Sequence, residues 1–369
     1  MRKRSTITPP RNAAWLLELL ADSLRLTGHE CVLLALACAI ALPVYLETQM
    51  LHSSQAAFAA QHMQNTPAMQ TQPHTDWSFY MTVTTSSTIY NLGCNQGKFD
   101  GGLGIDSMVV LDFGGQQYNS GGTQFFDGTN ITNTEVVGLA ENFILGYVQC
   151  LTDSNSVLTL GLGVNNDNFV SNLNGQLWGQ NINAVQSWIS RHNYAGHAFA
   201  DGADDIEAWD PNDSWAAPTI SWVQGYDSTA NEPYLDYGTA DDCPVTPSNN
   251  AYCLGSCPHG YPCNHSWNQY DFWYDSYGNG HSFATPEIYG ADYWYGNDMA
   301  MEWTMLSLYG YDYQTGAITF EGPWDDHDIE PGKYTSAQAW MYLWDDLNTL
   351  GYPGIKQDMP YSLEIHNET

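Results

Sequence analysis

Positive charge is what this chain has least of. Nine Lys and Arg stand against 41 Asp and Glu in 369 residues, a formal net charge of −32. Beyond residue 60 the basic side chains are Lys98, Arg191, Lys333 and Lys356. Such a surface repels phosphate backbones and anionic headgroups, which excludes nucleic acid and leaves the membrane reachable only through the N-terminal segment. No Gly-rich phosphate loop follows the first strand candidate, which argues against a nucleotide fold. Neither an HExxH run nor a Gly-x-Ser-x-Gly elbow occurs, so protease and esterase lose their usual markers. No internal repeat is visible beyond an alternation of strands and helices. Apolar residues make up 43%, enough for a large core and too many for a disordered chain.

Aromatic side chains are abundant instead: 14 Trp, 24 Tyr and 12 Phe. Flat rings beside carboxylates and amides suit neutral sugars, although many rings must simply be core. The first 30 residues hold five of the nine basic groups, and an uncharged run follows from Cys31 to Leu46. Residues 1–46 therefore read as a basic cytoplasmic end with a signal-anchor or signal peptide, the alternative being a buried helix. Residues 47–76 lack periodicity and read as a flexible linker. Residues 77–369 then lie outside the cytoplasm, secreted or held at the cell surface, as a monomer.

Cysteine usage agrees with export. Cys31 and Cys38 sit in the apolar run, which leaves Cys94, Cys150, Cys243, Cys253, Cys257 and Cys263. Four of these fall in a Pro/Gly/Asn-rich loop at 239–268, where disulfides supply the cohesion that packing cannot. Cys94–Cys150 is expected as one bridge. A zinc knot with His259 or His265 is the alternative, although the irregular spacing matches no familiar zinc pattern.

Eight strand candidates follow residue 77: Phe79–Val83, Met108–Phe113, Val157–Val164, His197–Glu207, Pro233–Tyr237, Asp271–Tyr277, Pro286–Tyr289 and Ala317–Glu321. Amphipathic helices separate several of them. Thr132–Glu135 opens one with a capping box, and Thr335–Gln338 opens another. Helical patterns run over Gly175–Ser190, Trp215–Tyr226, Asn297–Tyr309 and, from the second box, Thr335–Leu350. This alternation predicts an α/β fold, a (β/α)8 TIM-type barrel rather than an open doubly wound sheet.

Enzymes on such barrels work at the carboxyl ends of the strands. Asp112, Asp236, Asp275, Glu287 and Glu321 fall at or near such ends. The densest cluster is Asp201-Gly-Ala-Asp204-Asp205-Ile-Glu207. Strand alternation puts Asp201, Asp205 and Glu207 on one face, with Asp204 opposed. Carboxylates stacked inside a barrel repel one another, which raises pKa values towards those of a general acid.

Asp205-Ile206-Glu207 resembles the Asp-x-Glu of secreted barrel glycosidases such as the family-25 muramidases. The stretch from Asp201 to Glu207 is similar to the family-18 chitinase signature, one residue shorter. Together LDFGGQ, GADDIE, YLDYGTADDCP, PEIYG and YTSAQAW resemble exported bacterial proteins of uncharacterised type called glycoside hydrolase-like, over most of residues 77–352. The resemblance implies a glycosidase cleaving a neutral or N-acetylated polysaccharide: a cell-wall glycan, a chitin-like polymer or a plant glycan. It implies Glu207 as proton donor and Asp205 as the residue orienting it. Asp236 or Asp112 is the candidate second carboxylate, and without one the substrate's N-acetyl group takes that role. Asp201, Trp209, Trp273, Asp275, Tyr277, Glu287, Tyr289, Glu321 and Trp324 are the candidate sugar contacts, with Trp294 a further ring. The first strand candidate lacks the Asp that muramidases place there, which favours the alternative, a carbohydrate-binding barrel without catalysis. No cofactor is expected. A structural Ca²⁺ is conceivable at Asp210–Asp213 or Asp325–Asp328, where oxygen donors crowd.

Overall fold

The computed structural model describes residues 71–82, 85–118, 122–153, 155–166, 170–208, 215–246, 260–290 and 298–367. All belong to the unit Pro67–Thr369. The expected signal segment, Trp209, Asp210–Asp213, Cys253, Cys257, His259 and Trp294 lie outside the described residues. Within them, no helix is long and apolar enough to cross a membrane.

Strand and helix alternate along the chain. β1 (Thr75–Tyr80), α1 (Ser86–Leu103) and β2 (Ser107–Gln116) come first, then a small hairpin, β3 (Thr123–Gln124) and β4 (Asn130–Ile131). α2 (Asn133–Cys150), β5 (Leu158–Asn165), α3 (Asn172–Arg191), β6 (Ala198–Asp205), α4 (Ala216–Asp227) and β7 (Tyr234–Asp236) continue the pattern. α5 (Gln269–Trp273) runs into a π-helix (Tyr274–Gly278), followed by β8 (Ser282–Ala284), α6 (Met299–Tyr313), β9 (Trp324–Asp325), α7 (Ser336–Thr349) and β10 (Ser362–Asn367).

The main strands form one sheet in the order β8-β7-β6-β5-β2-β1-β10-β9, and every neighbouring pair is parallel. The sheet curls, so the fold is α/β and barrel-like. β2 is buried along its whole length, as a parallel strand covered on both faces must be. Met108, Val110, Ala203, Leu235, Tyr237, Trp324, Leu363 and Ile365 fill the concave side. Val109, Leu111, Leu160, Leu162, Ala198 and Ala200 face the helices in the larger core. Period-2 alternation thus divides each strand between two cores.

Both expected capping boxes form, Thr132 with Glu135 and Thr335 with Gln338. α1 and α2 pack unusually close because neither has a side chain at the contact: a Cβ on Gly146 would lie 2.0 Å from the Tyr90 carbonyl oxygen, and one on Gly93 2.0 Å from that of Phe143. Cys94–Cys150 clamps the same pair, and Cys243–Cys263 closes the loop after β7. Two loop cysteines are therefore oxidised rather than free to bind zinc.

Several strands differ from expectation. Asp271–Tyr277 is helical, not a strand. Asn268 caps it in a box with Asp271, and its rings at 270, 273, 274 and 277 recur at helical spacing. The strand here is β8, and the expected strand Pro286–Tyr289 pairs only through an isolated bridge at Glu287. Ala317–Glu321 pairs only at Phe320, and the ladder proper is β9. β10 went unread, although Leu363 and Ile365 alternate with Glu364 and His366. β1 begins at Thr75, inside the expected linker, and Asp76 stands at its start. Its carboxylate and the Ser78 hydroxyl accept the Met108 and Val110 amides, substituting for ladder bonds that β1 and β2 lack there.

Candidate active site

The carboxyl end of β6 decides which acids meet. Ala203 belongs to the concave core while Ala198 and Ala200 face the helices. Alternation therefore turns Asp205 inward and Asp204 outward, as expected. Beyond the strand, Glu207 is held by its backbone: its amide donates to Asn166 Oδ1 at 3.2 Å, and its carbonyl accepts from Asn166 Nδ2 at 2.9 Å. Asn166, buried one residue past β5, is thus a positioning residue. Glu287 arrives from beyond β8, its amide donating to the Gly238 carbonyl at 3.0 Å, with Ile288 bonded to the Trp324 carbonyl at 2.9 Å. One oxygen each of Asp205, Glu207 and Glu287 then lies within 4.8 Å of the others.

Burial grades these three acids. Glu287 is 3% exposed and Asp205 7%, while Glu207 is half-buried at the rim. Burial, then the charge of Glu207, pushes the Asp205 and Glu287 carboxyls well above the usual range. The Tyr289 hydroxyl works the other way on Glu287 by hydrogen bonding to it. Asp326 and Asp241 push the Glu287 carboxyl up as well. Asp205 Oδ1 has no hydrogen-bond partner, which suits the neutral form. Such a cluster titrates as a unit.

Tyrosines and a Trp surround the acids. Tyr80, at the end of β1, feels Glu287, Asp205, Asp112 and Glu207, and the exposed Phe126 ring meets it edge-on at 4.6 Å. Tyr237 and Trp324 stack at 4.6 Å. Lys333 brings a cation, its Nζ 4.4 Å from the Tyr289 ring centre.

Of the remaining expected site residues, Asp112 borders the cluster, acting on Asp205 and hydrogen-bonding Tyr237, and the others are dispersed. Asp112 is inside the sheet's curve, bonded to the Gly114 amide at 2.7 Å, and burial pushes its carboxyl up to about 7. Asp236 faces outward and accepts from Ser276 of the π-helix, so it is not the partner of Glu207. Asp201 shares the inner face but lies four residues earlier, about 13 Å along the strand; it feels Glu232 and Glu321 instead. Trp273 is buried on α5, with its indole N–H on the Gly316 carbonyl. Asp275 is buried on the π-helix, and Tyr277 lines a cleft of about 340 Å³ with Pro233 and His281. Trp324 is fully buried and so is packing rather than platform. Glu287 and Tyr289 are the expected contacts that reach Asp205 and Glu207.

Asp325–Asp328 does not converge as one cation site: Asp325 Oδ1 accepts the His327 amide. Asp328 instead meets Glu364 and His366, with ligand atoms within 4.8 Å, a donor set that suits a divalent cation. Glu364 already accepts from the Asp328 amide and the Ser336 hydroxyl, which satisfies it without an ion. Asn166, Tyr80 and Tyr237 were not foreseen. Asn165-Asn166 after a Gly-rich strand was the available signal for the first. No protein-family model matches the chain, and no curated protein matches it in sequence.

Proposed function

We propose that this chain is an exported glycosidase of the (β/α)8 type that cleaves a neutral or N-acetylated polysaccharide with retention of configuration. The observation that carries the proposal is the meeting of Asp205, Glu207 and Glu287 within 4.8 Å. Inverting enzymes hold their carboxyls about 6.5–9.5 Å apart to admit a water, and retaining ones about 5–5.5 Å. Glu287 attacks the anomeric carbon while Glu207 gives its proton to the departing glycosidic oxygen. Glu207 then takes a proton from water, whose oxygen displaces Glu287 and regenerates both groups. Asp205 shares the cluster's charge and protons.

Closure of the barrel is supported by parallel bridges Ala284↔Phe320 and Glu287↔Trp324. They join the β8 edge of the sheet to the stretch leading into β9, the opposite edge. Export is supported by two disulfides, which fit an oxidising compartment. The glycoside hydrolase-like motifs point the same way. The depth of Glu287 favours a second reading, a barrel that binds glycan without cutting it.

Incubation of the purified chain with peptidoglycan, chitin oligomers and plant glucans, followed by a reducing-end assay, separates the two. Hydrolysis of at least one polymer is expected, faster at about pH 5 than at about pH 8, because the cluster must keep a proton to donate. Binding without new reducing ends would establish the second reading.

A further inference from the structure

We propose that Asp204, Asp236 and Asp275 form a proton-held latch that fastens α5 and the π-helix to strands β6 and β7 in acid and releases them as the surroundings become neutral. The latch lies on the outer face of the sheet, away from Glu207, and is independent of any glycan chemistry.

All three side chains are completely buried. Neither oxygen of Asp204 nor of Asp275 has a hydrogen-bond partner. Asp236 is better served, accepting from the Ser276 hydroxyl and the Gly238 amide. An ionised carboxylate in such a place loses water and gains nothing, and a second one beside it repels it. Neutral carboxyls are the forms that fit.

Acids dominate the surroundings. β6 contributes Asp204, and β7 contributes Asp236 with Tyr234, whose hydroxyl donates to the Asp275 carbonyl. The π-helix brings Asp275 and Ser276, and α5 brings Asp271. The end of α4 brings Asp227, which His281 Nδ1 approaches at 3.5 Å. Asp112 acts on Asp204 from β2. Among the described residues, no Lys or Arg acts on any of the three. Burial first, then the neighbouring acids, pushes Asp204 and Asp275 far up, and burial takes Asp236 to about 7.

The sign follows from linkage. A carboxyl whose folded value is raised favours the folded state fully below its ordinary value, and that favour is lost as pH rises through the folded one. Loss therefore begins near the ordinary carboxyl value of about 4, is complete for Asp236 near pH 7, and continues to higher pH for Asp204 and Asp275. The segment that must yield is a five-residue α-helix continuing as a π-turn, an irregularity often retained for function. Its release uncovers the back of β6 beside Asp205, so the latch confines the ordered site to acid.

Hydrogen exchange on the full chain tests the latch. Between about pH 5 and about pH 8, protection factors over Gln269–Gly278 should fall at least ~10-fold. α3, which contains no carboxylate, should hold its protection. Asp275→Asn replaces the neutral carboxyl by a neutral amide of the same shape and should keep the segment protected at the higher pH; Asp204→Asn should do so in part. Unchanged protection in the unmodified chain, or an equal fall in Asp275→Asn, would overturn the proposal. If Asp275→Asn does not fold, the unmodified chain and Asp204→Asn still decide it.

Discussion

Glu207→Gln is expected to abolish turnover while glycan binding survives. Gln keeps the shape and the Asn166 clamp, which acts through the backbone of residue 207, but has no proton to give. A positioned general acid contributes about 10²–10⁴ in rate, and a loss of that order should appear in kcat with KM little changed. Asp205→Asn should move the alkaline limb of the pH–rate profile to lower pH. One acidic neighbour is gone, so the remaining carboxyls lose their protons more readily. Asp204→Asn, on the outer face of the same strand, should leave acid-side activity nearly intact. A critical Asp204 beside a dispensable Glu207 would overturn both the strand's facing and the catalytic assignment.

Removing Cys94–Cys150 should be the costliest change away from the site. The bridge spans 56 residues of sequence, and closing a loop of that size restricts the unfolded chain by about 4 kcal/mol. Replacing both cysteines with Ala should therefore lower the melting temperature on the order of 10 °C. The α1–α2 contact remains close because Gly93 and Gly146 still admit it, so the folded structure and the acid cluster should persist. A melting temperature within about a degree of the unmodified chain would show that the bridge adds nothing to the packing around it.

Much of the architecture could be read from residue patterns, and the exceptions have physical causes. Helices announced themselves by caps: Thr132 and Thr335 each bind the residue three ahead. Asp205 and Asp204 parted to opposite faces because strand alternation is a geometric rule. Asp271–Tyr277 misled because a short aromatic run fits a buried strand as well as a helix, and only the Asn268 cap distinguishes them. β10 was missed because six residues with a Glu and a His in alternate places look polar. Glu287 was legible as an acid near a strand end but not as the partner of Glu207. Its position depends on the bends after β8 and on bonds to Gly238 and Trp324, which no local pattern encodes. Asp236 looked equivalent along the chain, yet one residue of register turned it to the helices.

The carboxylate pair is tested most directly by the configuration of the first product. Proton NMR recorded during early hydrolysis of a soluble oligosaccharide, before mutarotation, reports which anomer is released first. With Glu207 and Glu287 this close, a displacement by Glu287 and then by water is expected to give the anomer of the starting linkage. The opposite anomer, or hydrolysis that persists undiminished in Glu287→Gln, would contradict the assignment.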